Sequence, residues 1–157
     1  DFSIVPSLSA MTVQTAISEC GINPAARFPN EHRYASWLGL PPNNKKTGGN
    51  VFSTKTRHRP SPTGTALRLA AQSLLSSKSV LGDRFRRLRA RLGAPKAITA
   101  MAHLLAKLIY RGLTRGQVYL EAGLAALQDQ SRSNTLLALH RRAHRLGFEL
   151  TPLQKTA

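Results

Sequence analysis

Acid is scarce in this sequence. Seven Asp and Glu face 23 Lys and Arg in 157 residues, a formal net charge of +16 with the histidines neutral. The acids are scattered as Asp1, Glu19, Glu31, Asp83, Glu121, Asp129 and Glu149, and no pair has a spacing that suits a two-metal nuclease centre. Cysteine is scarcer still. Cys20 stands alone, which excludes an internal disulfide framework and suits a reducing compartment. No apolar run approaches the ~18–20 residues of a membrane span. The opening DFSIVPSLSA has neither the basic n-region nor the long apolar stretch of a signal peptide. A membrane-surface helix would set Trp or Phe opposite a basic face, but the single Trp, Trp37, lies in the least basic third of the chain. What remains is 41% apolar, enough to build the core of one domain and to exclude wholesale disorder. Because the chain starts with Asp1 rather than Met, a fragment or processed product is expected.

The surplus of positive charge describes partners rather than fold. Polyphosphate is its natural counterpart, since each phosphate neutralised by Lys or Arg releases condensed counterions without any base being read. Arg outnumbers Lys, which favours planar, bidentate phosphate contacts.

Most of the chain reads as helix. Val13, Ala16, Ile17 and Cys20 repeat at i, i+3, i+4, i+7, predicting a helix over 10–20 that stops at Gly21. Asn30 is placed to cap a short helix carrying Tyr34, Trp37 and Leu38, with Phe28 as an anchor in the loop before it. Residues 41–64 differ in kind, with four prolines, three glycines and a run of basic residues. There only 51–54 could be a short strand. From 65 onward Leu67, Ala70, Ala71, Leu74 and Leu75 share a face, and Leu81, Phe85, Leu88 and Leu92 repeat to Gly93. Pro95 suits a first helical turn. Ile98, Met101, Ala102, Leu105, Leu108 and Ile109 form the best amphipathic stripe, and two further helices fit 117–130 and 133–146, the second with Leu136, Leu139, His140 and Ala143 inward. The expectation is an all-α domain of five to seven helices with one irregular basic loop.

Two elements could carry chemistry. In 83–96, DRFRRLRARLGAPK, a helix sets Arg84, Arg87 and Arg91 on one face with the leucines opposite, a guanidinium row suited to phosphates. A merely solvated basic face is the competing reading, weakened because so few acids are available to pair with it. The loop is the second element, with Lys45, Lys46, Lys55, Arg57, His58 and Arg59 around hydroxyls at Thr47, Ser53, Thr54 and Thr56. Gly48 and Gly49 follow Thr47 and would let the backbone approach a phosphate closely. A hydroxyl there is a candidate nucleophile toward a phosphodiester, against the plainer reading of a mobile basic loop. KKTGG lacks the spacing of a P-loop. His140 and His144 stand at i, i+4, but no third ligand is near in sequence. No metal site is therefore expected, with His140 half-buried and His144 exposed.

Several stretches resemble one family. ARFPNEHRYASWLGLPPNNKKTGGNVFSTKTR (26–57), LRLAAQSL (67–74), KSVLGDRFRRLRARLGAPKAITAMAHLLAKLIYRGL (78–113) and RRAHRLGFELTP (141–152) are similar to the C-terminal domain of insertion-sequence transposases that join a RuvC-like DEDD domain to a serine-bearing helical domain and work with a structured bridge RNA. The resemblance implies a C-terminal transposase domain over 1–113 and a helical tail over 114–157. The DEDD domain and its Mg2+ would lie outside this chain, which itself needs no cofactor. It implies DNA as substrate, a guide RNA, a homo-oligomer in the full-length protein, and a bacterial cytoplasmic location at the nucleoid. The family's nucleophile is a serine in a Ser-Gly-Gly turn. Here that position is Thr47, with Ser53 as fallback. Lys45, Lys46, Gly48, Gly49, Lys55, Arg57, Arg59, Arg68, Arg84, Arg87, Arg91 and Lys96 are the expected nucleic-acid contacts.

This sequence departs from the family pattern in three places. Threonine replaces serine. The Pro-Gly-Ile-Gly-like turn near the domain start reads Pro6-Ser7-Leu8-Ser9, and Pro60, Pro62 and Gly64 are expected to interrupt the helix carrying Leu67. The departures leave a second expectation open, a truncated and inactive remnant that only binds nucleic acid. A ribosome- or RNA-associated basic protein is a third. Without the missing domain, apolar surface is expected to lie uncovered around Tyr34 and Trp37.

Overall fold

The structure, a computed structural model, describes residues 2–42, 45–48, 50–53, 56 and 61–151. Its helices are α1 (Ala10–Cys20), α2 (Glu31–Trp37), α3 (Pro62–Ser73), α4 (Val80–Leu92), α5 (Ala94–Arg115) and α6 (Gln117–Arg145), with a 3-10 turn at Pro24–Ala26. The all-α class holds. Within the loop, β1 (Lys45–Thr47) pairs antiparallel with β2 (Asn50–Ser53), one residue ahead of the strand read from sequence.

Each early helix starts where its cap dictates. Ser9 Oγ accepts from Thr12 N at 3.2 Å, Asn30 Oδ1 from Arg33 N at 3.0 Å, and Ser79 Oγ from Gly82 N at 3.2 Å. Pro62 and Gly64, expected to interrupt the helix carrying Leu67, do not break α3. Pro62 occupies its first turn, where a missing N–H costs nothing, and Ser61 Oγ accepts from Gly64 N at 3.0 Å. Glu19 of α1 places its carboxylate at this helix start, accepting from Ser61 Oγ at 3.0 Å and Thr63 N at 2.9 Å. A Cβ at Gly64 would stand 3.1 Å from the Leu38 carbonyl, so its glycine allows close packing. Pro60 lies outside the described residues.

The centre of the core is α5, packed against α2, α3, α4 and α6. Met101, Leu105, Leu108 and Ile109 are buried there with Leu67 and Leu74 of the α3 segment, Leu81 and Phe85 of α4, and Leu120 of α6. Phe28, Tyr34, Trp37 and Tyr110 form an aromatic cluster, and Tyr110 Oη donates to the Phe28 carbonyl at 2.7 Å. Tyr34 is therefore fully buried, and Trp37 is half-buried beneath the Arg27 guanidinium at 4.9 Å. The expected uncovered patch is not there.

It lies instead on α6. The two helices expected over 117–130 and 133–146 are one continuous helix, because the Ser-Arg-Ser-Asn stretch at 131–134 contains no breaker and continues the helical bonding. Leu120 is buried and Leu124 and Leu127 pack on the core, but Leu136 and Leu139 are 49% exposed. His140 is exposed rather than half-buried, and Ala143 is only partly covered. The helix outruns the body it packs on. Leu75 and Leu92 likewise sit beyond or at the ends of their helices and are exposed.

Single glycines join α4 to α5 and α5 to α6. Gly93 (φ 80°, ψ 164°) and Gly116 (φ 80°, ψ 179°) occupy a region of backbone space essentially closed to other residues, and each is the whole connection between its two helices. Ser7 has φ 79° although it is not glycine, and its Oγ is buried with no hydrogen-bond partner among the described residues. It therefore holds a left-handed conformation that suits glycine better.

Candidate nucleic-acid interface

Thr47 closes β1. It pairs with Asn50 in the ladder, so the strands turn directly after Thr47 at Gly48. Gly48 takes φ 57°, a left-handed value that suits such a tight turn. Thr47 and Gly48 are both exposed. A bridge between Pro42 and Thr56 closes the base of the hairpin, and a bulge separates Lys45 from Lys46. Lys45 and Lys46 thus flank the turn on β1, and Ser53 sits at the far end of β2 opposite Lys45. Gly49, Thr54, Lys55, Arg57, His58 and Arg59 lie outside the described residues.

Arg84, Arg87 and Arg91 stand together as the helical spacing predicted. Their exposed side chains form one wall of a cleft of about 310 Å³ between α4 and α6. The acid of α4 leaves them unneutralised, because Asp83 pairs with Arg86, which turns away to donate to the Leu75 and Ser77 carbonyls at 3.0 and 2.7 Å. Arg87 Nη2 donates to Ser131 Oγ of α6 at 2.8 Å, a neutral acceptor that ties the walls together and leaves the charge in place. None of the cleft's lining residues is acidic.

Arg68 and Lys96, two of the other expected contacts, do not line this cleft. Arg68, on α3, is half-buried and folds its guanidinium toward the first turn at Gly64. Lys96 is exposed in the first turn of α5. The sequence reading missed Gln130, Ser131 and Asn134, which form the opposite wall. Nothing marks them in sequence except helical phase, and the expected break near 131 hid that phase.

Among the described residues, no group of three His, Cys, Asp or Glu is placed to hold a metal ion. No helix there is long and apolar enough to cross a membrane. Cys20 is buried, and burial pushes its thiol pKa up, which makes it a poor nucleophile.

No curated protein and no solved structure matches this chain. The family model described as "Transposase IS116/IS110/IS902 family" matches residues 2–86, which span α1 to the middle of α4 and include the hairpin. Arg87, Arg91, α5 and α6 follow the matched segment. With more than half of its 157 residues covered, the chain belongs to the IS116/IS110/IS902 family of transposases.

Proposed function

We propose that this chain is the DNA-handling, nucleophile-bearing C-terminal part of an insertion-sequence transposase, and that Thr47 supplies the attacking hydroxyl. The observation that carries the reading is Thr47's exposed position at a glycine turn within the family-matched segment. In the proposed step Thr47 Oγ1 bonds to the phosphorus of a DNA phosphodiester as the bond to one strand oxygen breaks, and the threonine proton ends on that oxygen, which leaves as a strand hydroxyl. The resulting ester conserves bond energy, so a second strand's hydroxyl can displace threonine and reseal the backbone without nucleotide hydrolysis. Arg84, Arg87 and Arg91 hold the backbone through charge. The described residues do not suit Mg2+, and the reading places the metal-binding acids on a domain outside this chain. From the same family resemblance it takes a guide RNA as second nucleic-acid partner and assembly of full-length copies.

A binding-only remnant is favoured by one specific observation, the threonine methyl, which restricts χ1 and crowds in-line attack. Strand exchange with the metal-binding domain supplied separates the two readings. Thr47→Ala abolishes the protein–DNA adduct and strand exchange if Thr47 attacks, and Thr47→Ser accelerates them. Exchange that persists unchanged in Thr47→Ala removes Thr47 from catalysis. Replacing Arg84, Arg87 and Arg91 together with Ala lowers the log–log salt slope of duplex binding by roughly 2–3 units. An unchanged slope refutes the assignment of α4.

A further inference from the structure

The cleft between α4 and α6 has two unlike walls. Arg84, Arg87 and Arg91 supply charge from one side, while Gln130 and Asn134 present exposed side-chain amides from the other. Leu88 and Leu127, half-buried between them, give an apolar floor. Holding a duplex by its backbone needs only the first wall. An amide has no charge to offer a phosphate, but its paired donor and acceptor match a base edge, as Asn and Gln match adenine N6 and N7. Leucine likewise adds little to a phosphate contact and much to the face of a base. Bases expose both edge and face when the strand is unpaired, and guanidinium planes can stack on them as well. The cleft's volume, about 310 Å³, sits at the small end of ligand pockets and is too small to enclose a duplex.

We propose that this cleft takes an unpaired nucleotide strand, with its phosphates on Arg84, Arg87 and Arg91 and a base between Gln130 and Asn134 over the leucine floor. The proposal rests on the nucleic-acid reading of α4 above and deepens it, since it makes the site selective for single strand over duplex. The Arg87–Ser131 hydrogen bond holds the two walls at a fixed separation before the strand arrives.

The test measures fluorescence anisotropy of the full 157-residue chain with adenine-rich oligonucleotides, as single-stranded DNA, single-stranded RNA and duplex DNA. The variant is Gln130→Met with Asn134→Leu, which keeps the length of each side chain and removes the hydrogen-bonding groups. Both positions are exposed, and circular dichroism checks that helix content is unchanged. Single-strand binding is expected to weaken roughly ten-fold, with duplex binding and the salt slope unaltered. The tighter of the DNA and RNA probes names the natural source of the strand. Equal loss on duplex and single strand, or no loss on either, overturns the proposal. If the Arg84, Arg87 and Arg91 triple variant still lowers the salt slope in that case, only the single-strand assignment fails. An unchanged slope in the triple variant overturns both.

Discussion

Gly82 and Gly123 are both helical glycines, and replacing each with alanine is predicted to shift stability in opposite directions. A Cβ on Gly82 would stand 2.2 Å from the Ser77 carbonyl oxygen and 3.0 Å from that of Leu74. Ordinary carbon–oxygen contact begins near ~3.3 Å, so the start of α4 must move off the turn that precedes it. The turn cannot yield freely, because Arg86 Nη1 donates to Ser77 O at 2.7 Å and to Leu75 O at 3.0 Å. Overpacking of this kind costs about 1–3 kcal/mol, and alanine's better helix propensity returns only about 0.5–1 kcal/mol. At ~2–4 °C per kcal/mol for a domain of this size, a net loss of about 0.5–2 kcal/mol lowers Tm by roughly 1–8 °C. Gly123 has nothing within 4 Å of its Cβ position, so only the propensity gain remains there, about 0.5–1 kcal/mol. Differential scanning calorimetry of the two variants reads both signs. A Gly82→Ala protein that melts at or above the parent refutes the packing argument. In an Arg86→Ala background the Ser77 carbonyl is freed, and the cost of Gly82→Ala is expected to shrink.

Ser7→Gly is expected to stabilise by about 1 kcal/mol, since it relieves a left-handed backbone and removes a buried hydroxyl without a partner; an unchanged urea midpoint counts against it. Glu31 receives Arg111 through two hydrogen bonds, one of them 2.7 Å from Nη2, with Lys107 Nζ at 3.8 Å. The Arg111 guanidinium holds the carboxyl below the usual carboxylate range. A depressed carboxylate contributes stability above the unfolded value near ~4.3 and loses it as pH falls through the folded value. Glu31→Gln should therefore cost about 1.5–3 kcal/mol at neutral pH and flatten that acid limb in pH-dependent unfolding. Burial pushes the His103 imidazole down, so stability also falls as pH drops below ~6.5, ahead of the Glu31 limb. His103→Gln is expected to remove that earlier fall, and a pH profile identical to the parent's refutes it.

Where one local signal decided the structure, the sequence was readable. Val13, Ala16 and Cys20 bury as their spacing demands, Asn30 caps α2, and the 98–109 stripe became the central helix. Misreadings arose where tertiary context decides. The chain reads as two helices over 117–130 and 133–146, yet α6 runs through the expected break because no Gly or Pro stops it. Leu136 and Leu139 have the phase of a buried face, but phase cannot say whether a partner extends that far, and here the body of the domain ends first. The prolines before Leu67 read as breakers, although the missing N–H of Pro62 falls at a first turn where it has no cost. The same distinction holds for the interface. The arginine row follows from one helix's periodicity. Its amide wall comes from another helix and becomes visible only when α4 and α6 are set side by side.

The one-residue junctions at Gly93 and Gly116 fix that alignment by chain length. Adding a single residue after Gly116 would turn the following helix by about 100° about its axis. Gln130 and Asn134 would then leave the cleft, and Leu120 would leave the core, with no amino acid in either helix changed. The hairpin between Pro42 and Thr56 sits on no such junction, and surface connections of that kind tolerate changes in length. In this chain, therefore, reading-frame-preserving insertions should be sharply partitioned. Those around the hairpin should leave the helical body intact, whereas those in the short links flanking α5 should displace both the cleft wall and the core.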